Sequence, residues 1–164
     1  MTDKYEQDVY DVLDELNISY IRHEHPPVYT INQAEQHWAN TKGAFCKNLF
    51  LRNKKGTRHY LVILEYSKKA DIKAMTERLN EDRLSFASPE RLRRYLGLLP
   101  GAVSPFGLIN DNKREVRVVI DKDLKKTKWI SFHPNVNTST VRLSFADFER
   151  FLAGRGNIIL YYKF

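Results

Sequence analysis

Gly101 to Pro105, "GAVSP", lies inside the twelve-residue run Leu96 to Gly107, which holds three of the chain's seven glycines and two of its six prolines. The glycine can enter backbone regions closed to other residues, and the proline four places on removes one donor and fixes the exit direction. A turn of this make can aim several N–H groups at one concave spot, the arrangement that stabilises an oxyanion without a catalytic side chain. It also serves as a tight connection between a helix and a strand, and taken alone that is the plainer reading. Lys47 and Asn48 sit in "FCKNLF", an otherwise apolar strand-like run where a charge is costly to bury without a partner. An edge-facing lysine is the ordinary alternative. His133 precedes a proline in "SFHPNVNTST", ahead of two asparagines and three hydroxyl residues. On its own it reads as a structural histidine.

Other catalytic sets are missing. The sequence has no GxSxG, HExxH, GxxxxGK[ST] or helix-opening GxGxxG. His23 and His25 could share one strand face, but no spacing advertises further metal ligands. The single cysteine, Cys46, cannot form an internal disulfide or by itself a thiolate metal site, and it reads as a small buried hydrophobe. Neither a metal nor an organic cofactor is expected.

Elements able to hold these residues are readable on either side. Tyr5, Val9, Val12, Leu13 and Leu16 recur at helical spacing behind Asp3, so residues 4–16 read as a capped amphipathic helix. "ISYIRHE" alternates like a strand, "HPPVYT" breaks it, and "NQAEQHW" reads as a short helix begun at Asn32. "AFCKNLFLRN" and "RHYLVILEY" form a hairpin about "NKKG". "KADIKAMTERLN" is a helix, and "SPERLRRYLG" a stronger one with Ser88 as N-cap, Pro89 at its first position and Gly97 as its stop. It delivers the chain into the glycine and proline cluster. "REVRVVID", "KWISF" and "STVRLS" read as strands, "SFADFERFLAG" as a helix capped by Ser144, and "NIILYYKF" as a buried strand. "DRLSF" and "KDLKK" read as solvated charge. The order fits one α+β domain over residues 1–164, a mixed and mostly antiparallel sheet or barrel flanked by helices, better than a regular βαβ alternation.

The chain of 164 residues carries a net charge of +7, which makes a polyanion such as nucleic acid a natural partner. Its N-terminus, "MTDKYEQDVY", is acidic and polar where a signal peptide is basic and then apolar, and no uncharged run approaches the roughly 20 residues of a membrane span. A cytoplasmic, soluble protein is expected.

Taken together, "KNLFL" (47–51), "LLPGAVSPFGL" (98–108), "FHPNVNTST" (132–140) and the upstream "HPPVYT" (25–30) resemble the YbaK and prolyl-tRNA editing-domain family, most of all its free-standing ProX (PrdX) type, over almost the whole chain. The resemblance implies a trans-editing hydrolase that cleaves the ester joining a wrong amino acid to tRNA, with alanine on tRNA for proline as the expected substrate. It implies catalytic roles for Lys47, which holds the terminal adenosine or its phosphate, and for Gly101. Ala102, Val103, Ser104 and Pro105 line the aminoacyl site, His133 sets which amino acid fits, and Asn48 and Tyr29 are carried over as further substrate-binding residues. The implied partners are the tRNA acceptor end and, transiently, the prolyl-tRNA synthetase.

An aminoacyl ester is already activated, so a positioned water, a polarised carbonyl and a nearby ribose hydroxyl suffice. A proline-sized synthetase pocket discriminates against the smaller alanine by only about 1–3 kcal/mol, and a second, smaller pocket can reject proline by overlap. Val28, Val103 and His133 are expected in its wall. Arg83, Arg91, Arg93, Arg94 and the "KDLKK" lysines are candidates for phosphate contact. The competing readings are a non-catalytic tRNA or nucleic-acid-binding module and a deacylase for another small amino acid, such as cysteine or serine.

Overall fold

Helix α1, Lys4–Glu15, starts where the Asp3 carboxylate accepts the Tyr5 N–H, and it buries Val9 and Leu13 completely. The computed structural model describes residues 3–28 and 42–164; Tyr29 and the short helix expected from Asn32 lie outside them. Eight strands follow among the described residues: β1 Ile21–Glu24, β2 Ala44–Asn53, β3 His59–Glu65, β4 Leu84–Phe86, β5 Val116–Asp121, β6 Trp129–Phe132, β7 Ser139–Ser144 and β8 Ile159–Tyr162. Helices α2 (Ile72–Arg78), α3 (Pro89–Leu96) and α4 (Phe145–Arg155) are interspersed. The strand order is β1-β7-β6-β2-β3-β5-β8, with β4 on β2. Pairs β1–β7, β2–β3, β2–β4 and β6–β7 are antiparallel, whereas β2–β6, β3–β5 and β5–β8 are parallel. The α+β class with a mixed sheet is therefore the observed one.

The sheet is covered on both faces, and the period of two along each strand sorts residues between them. On β3, Leu61 and Ile63 join the larger core with Val9, Leu13, Phe148 and Phe151. Tyr60, Val62 and Leu64 join the smaller one with Met75. β2 obeys the same alternation: Cys46 and Phe50 pack with the larger core, Leu49 and Leu51 with the smaller. Asn48 takes the first face and Lys47 the second. Burial holds the Cys46 thiol protonated, well above the ordinary thiol range.

Two elements differ from the sequence expectation. "DRLSF" contributes β4, a three-residue strand whose Leu84 is buried against Leu51. The C-terminal strand β8 is half-buried rather than buried, because it lies at the edge of the sheet beyond β5. Within "KDLKK", Leu124 is fully buried, so only its lysines are solvated. None of the described helices is long and apolar enough to cross a membrane.

His59 is buried, and its Nε2 lies 3.1 Å from Arg91 Nη1, so the imidazole accepts there and is neutral. Burial, then the charges of Arg91, Arg52 and Arg94, push its pKa down to about 4. Below pH 6.5 the unfolded chain binds a proton that the folded chain refuses. Stability is full above that pH and is lost as pH falls toward 4, by roughly 2 kcal/mol at pH 5. Urea unfolding at pH 7.5 and pH 5 should show this loss, and His59→Phe should reduce it; equal wild-type stability at the two values would contradict the assignment.

Candidate active site

The glycine and proline cluster is built as a rigid turn. Ser88 Oγ accepts the Arg91 N–H at 3.2 Å to start α3, and Gly97, at φ 65°, ends it. A Cβ on Gly97 would come 2.7 Å from Asn110 Nδ2, the group that donates to the Leu96 carbonyl at 2.9 Å. Gly101 sits at φ 89°, and the Ala102 N–H closes the turn on the Leu99 carbonyl at 3.1 Å. Ser104 then caps the 3-10 helix Pro105–Asn110, its Oγ accepting the Phe106 N–H.

Three amides of this turn, those of Gly101, Val103 and Ser104, have no hydrogen-bond acceptor among the described residues. Ser104 is completely buried. A buried, unpaired N–H is rare, because it forfeits a protein bond without regaining one to bulk water. Donors left free in this way are what an acyl oxygen needs.

Asn48 reaches the turn from β2. Its Nδ2 donates to the Val103 carbonyl at 3.3 Å, and since a carbonyl only accepts, the amide orientation follows. The other end, Oδ1, is buried and has no partner. Ser131 Oγ on β6 is in the same condition. Both residues line one small cavity of about 30 Å³, together with Phe45, Cys46, Phe132, His133 and Thr140. Room for about one water, with an acceptor and a hydroxyl available, is a site for an oriented nucleophile.

His133, half-buried, lines the same cavity. Its Nδ1 lies 2.9 Å from the Ser139 carbonyl and must donate to it, which leaves Nε2 with its lone pair. Burial and the neighbouring His25 ring, 5.8 Å away between centroids, hold its pKa below the usual histidine value. His25 is fixed in turn between the Pro26 carbonyl and Thr140 Oγ1. Ser139 also donates through Oγ to the Glu6 carboxylate, which accepts from Tyr10 and Arg22 as well. Despite its burial, these bonds keep Glu6 ionised below the usual carboxylate range. α1 thereby pins the strand that carries the His133 acceptor.

The two loops of the site hold each other. Asn135 Nδ2 donates to the Phe106 carbonyl at 3.3 Å, and Val28 and Asn137 exchange bonds at 3.3 Å. Val28 and Pro105 are buried, Ala102 nearly so, Val103 is half-buried and Gly101 exposed. Tyr29 lies outside the described residues.

Lys47 lies on the face of β2 that does not meet the turn. Its ammonium donates to the Lys68 carbonyl at 2.6 Å, from the face of β2 opposite Asn48. Among the described residues it has no carboxylate partner, whereas Lys68 is paired with both Asp121 and Asp123. The group that touches the turn is Asn48. Ser131 and Thr140 were not singled out from the sequence, although a hydroxyl inside the apolar run "WISF" was a legible signal. Of the basic candidates, Arg91 is occupied with the Gly56 carbonyl and His59, and Arg94 lies over the Tyr95 ring.

Residues 25–151 match the family model of the aminoacyl-tRNA editing domain. The chain is 46% identical over 151 residues to the prolyl-tRNA editing protein ProX of Acetoanaerobium sticklandii, covering 92% of each. It is 32% identical over 148 residues to prolyl-tRNA synthetase associated domain-containing protein 1 of Danio rerio, covering 89% of this chain and 80% of that one. Its fold is similar to the crystal structure of a proposed trans-editing enzyme for prolyl tRNA synthetase, with a TM-score of 0.74, 21% identity and coverage of 100% and 99%.

Proposed function

We propose that this chain, which belongs to the aminoacyl-tRNA editing domain family and is a hydrolase of the aminoacyl-tRNA ester, acts in trans on tRNA for proline that carries alanine. The observation that carries this reading is a turn whose Val103 and Ser104 amides are unpaired among the described residues and whose Val103 carbonyl is held by Asn48, a residue that itself lines the polar cavity with Ser131 and His133. The ester carbonyl oxygen accepts from the Val103 and Ser104 amides as negative charge develops on it. Water held by Asn48 Oδ1 and Ser131 Oγ adds to the acyl carbon. The carbon–oxygen ester bond then breaks, and the proton given up by water passes to the ribose oxygen through the neighbouring ribose hydroxyl. Free alanine and intact tRNA result. Lys47, for whose ammonium no described residue supplies a counter-ion, takes the phosphate of the terminal nucleotide.

Size selection falls to Val28, Val103 and His133. Removing the imidazole relaxes it: His133→Ala should raise the prolyl-to-alanyl rate ratio by about tenfold, within the 1–3 kcal/mol that one small group contributes. Alanyl, cysteinyl and prolyl esters on the same tRNA measure it, and an unchanged ratio removes His133 from the wall.

A panel of mischarged tRNAs tests the reading itself. Rapid release of alanine from tRNA for proline, with prolyl-tRNA spared, is the expected result. Faster release of cysteine or serine would reassign the substrate, and binding without release would leave a tRNA-binding module. Adding prolyl-tRNA synthetase to the same assay tests the docking expected of this type: a higher kcat/KM supports it and an unchanged one removes it.

A further inference from the structure

Behind the turn lies a second, larger cavity of about 520 Å³ that the hydrolytic reading leaves unused. It is lined by the same two loops that carry the site: Ala102 adjoins Val103 in the turn, and Asn135 is two residues beyond His133. Its apolar lining includes Tyr5 and Leu99, exposed by 56% and 64% and two of the five large apolar side chains that the described surface leaves open. Pro100 extends the same surface. Arg93, exposed at the end of α3, lines this cavity, and its guanidinium has no hydrogen bond or ion pair to any described residue. The Asp3 carboxylate, which caps α1 through one oxygen, lies at the rim.

We propose that this cavity seats the nucleotide preceding the terminal aminoacylated adenosine of the tRNA, a cytidine, with its base on Tyr5 and Leu99 and its phosphate at Arg93. The proposal rests on the deacylase reading and names the part of the substrate that reading leaves unplaced. Three features fit one occupant. A flat apolar surface beside an aromatic ring suits an unstacked base. An unpaired guanidinium suits a phosphate, and does so in a chain of net charge +7. A carboxylate suits the exocyclic amino group of cytosine, which donates. The volume lies within the range of sites that enclose a small ligand. The turn whose amides are offered to the acyl oxygen also lines this cavity through Ala102, so a ribose chain leaving the acyl site passes over Ala102 directly into it.

The test compares two substrates. Alanyl-tRNA carries the cytidine, whereas alanyl-adenosine lacks it. Tyr5→Ala and Leu99→Ser, both at exposed positions, should raise KM for alanyl-tRNA by about tenfold, the scale of one stacked base, with kcat unchanged and alanyl-adenosine cleaved as by wild type. Arg93→Ala should lower the slope of log binding against log salt by about one. Wild-type kinetics of these variants on alanyl-tRNA would overturn the proposal and leave the cavity to another occupant, such as a protein partner. An equal loss on both substrates would overturn it too. If the wild-type protein cleaves neither substrate, the deacylase reading fails, and a fluorescein-labelled CCA trinucleotide still decides the cavity by anisotropy: binding weakened by Tyr5→Ala supports it, and binding unchanged by that variant overturns it.

Discussion

Asn48→Ala is expected to lower the single-turnover rate of alanyl-tRNA hydrolysis by about two to three orders of magnitude, the scale of losing one oriented polar group at a developing oxyanion. Two functions go at once. Oδ1 no longer orients the attacking water in the cavity it shares with Ser131, and Nδ2 no longer holds the Val103 carbonyl, so the adjacent amides lose their fixed direction. Stability should hardly change. The lost bond is long, at 3.3 Å, and worth about 1 kcal/mol, while the same substitution removes a buried acceptor that has no partner. Activity and stability are thus separable, and thermal unfolding of the variant checks the second half. Asn48→Asp is expected to fail as well, because a carboxylate cannot donate to the Val103 carbonyl. Near wild-type turnover by Asn48→Ala would remove the side chain from the reaction.

Lys47→Ala should cost a hundredfold or more in kcat/KM, about 3 kcal/mol at the lower bound, as expected when one partner of a desolvated charge pair is truncated. Among the described residues this ammonium has one main-chain carbonyl at 2.6 Å and no anion, so a phosphate arriving with the substrate meets a half-buried cation that those residues leave uncompensated. A merely structural lysine would leave the salt dependence of binding untouched. Here the slope of log binding against log salt should fall by about one. Lys47→Arg should recover part of the rate, since charge is kept while the geometry of a point-like donor is not. A variant with full activity, or with a lower rate and an unchanged salt slope, would discard phosphate binding as its role.

Much of the scaffold was legible in the sequence because its signals are local. Asp3, Ser88 and Ser144 mark helix starts through side-chain bonds to the third or neighbouring amide, and each does so in the structure. The β2–β3 hairpin follows from two apolar runs about "NKKG", and its Asn53 Oδ1 accepts two amides of the turn. β4 was missed because three residues carry no period. The edge position of β8 was missed because "NIILYYKF" is apolar whether one face or two are covered.

Within the site, the bent turn and its neighbours in sequence could be picked out, but their mutual placement could not. Adjacent residues on a strand face opposite ways, so Lys47 and Asn48 could not both point at one loop, and the period of two was enough to say so. Which of them met the turn depended on the sheet order, and thus on strand pairings far apart in sequence. The bond between Asn135 and the Phe106 carbonyl, which joins the two loops, has no local signal at all. The bond from Ser139 to the Glu6 carboxylate is similar: helical spacing with Val9, Tyr10 and Leu13 puts Glu6 on the buried face of α1, but no local signal names Ser139 as its partner.

The role given to the unpaired amides can be read directly by amide-resolved NMR of the protein titrated with a non-hydrolysable, amide-linked alanyl-adenosine. The largest shifts are expected at the Val103 and Ser104 main-chain N–H groups and at the Asn48 side-chain amide. Saturable binding that leaves those three signals unmoved, with the shifts gathered elsewhere on the sheet, would contradict the account.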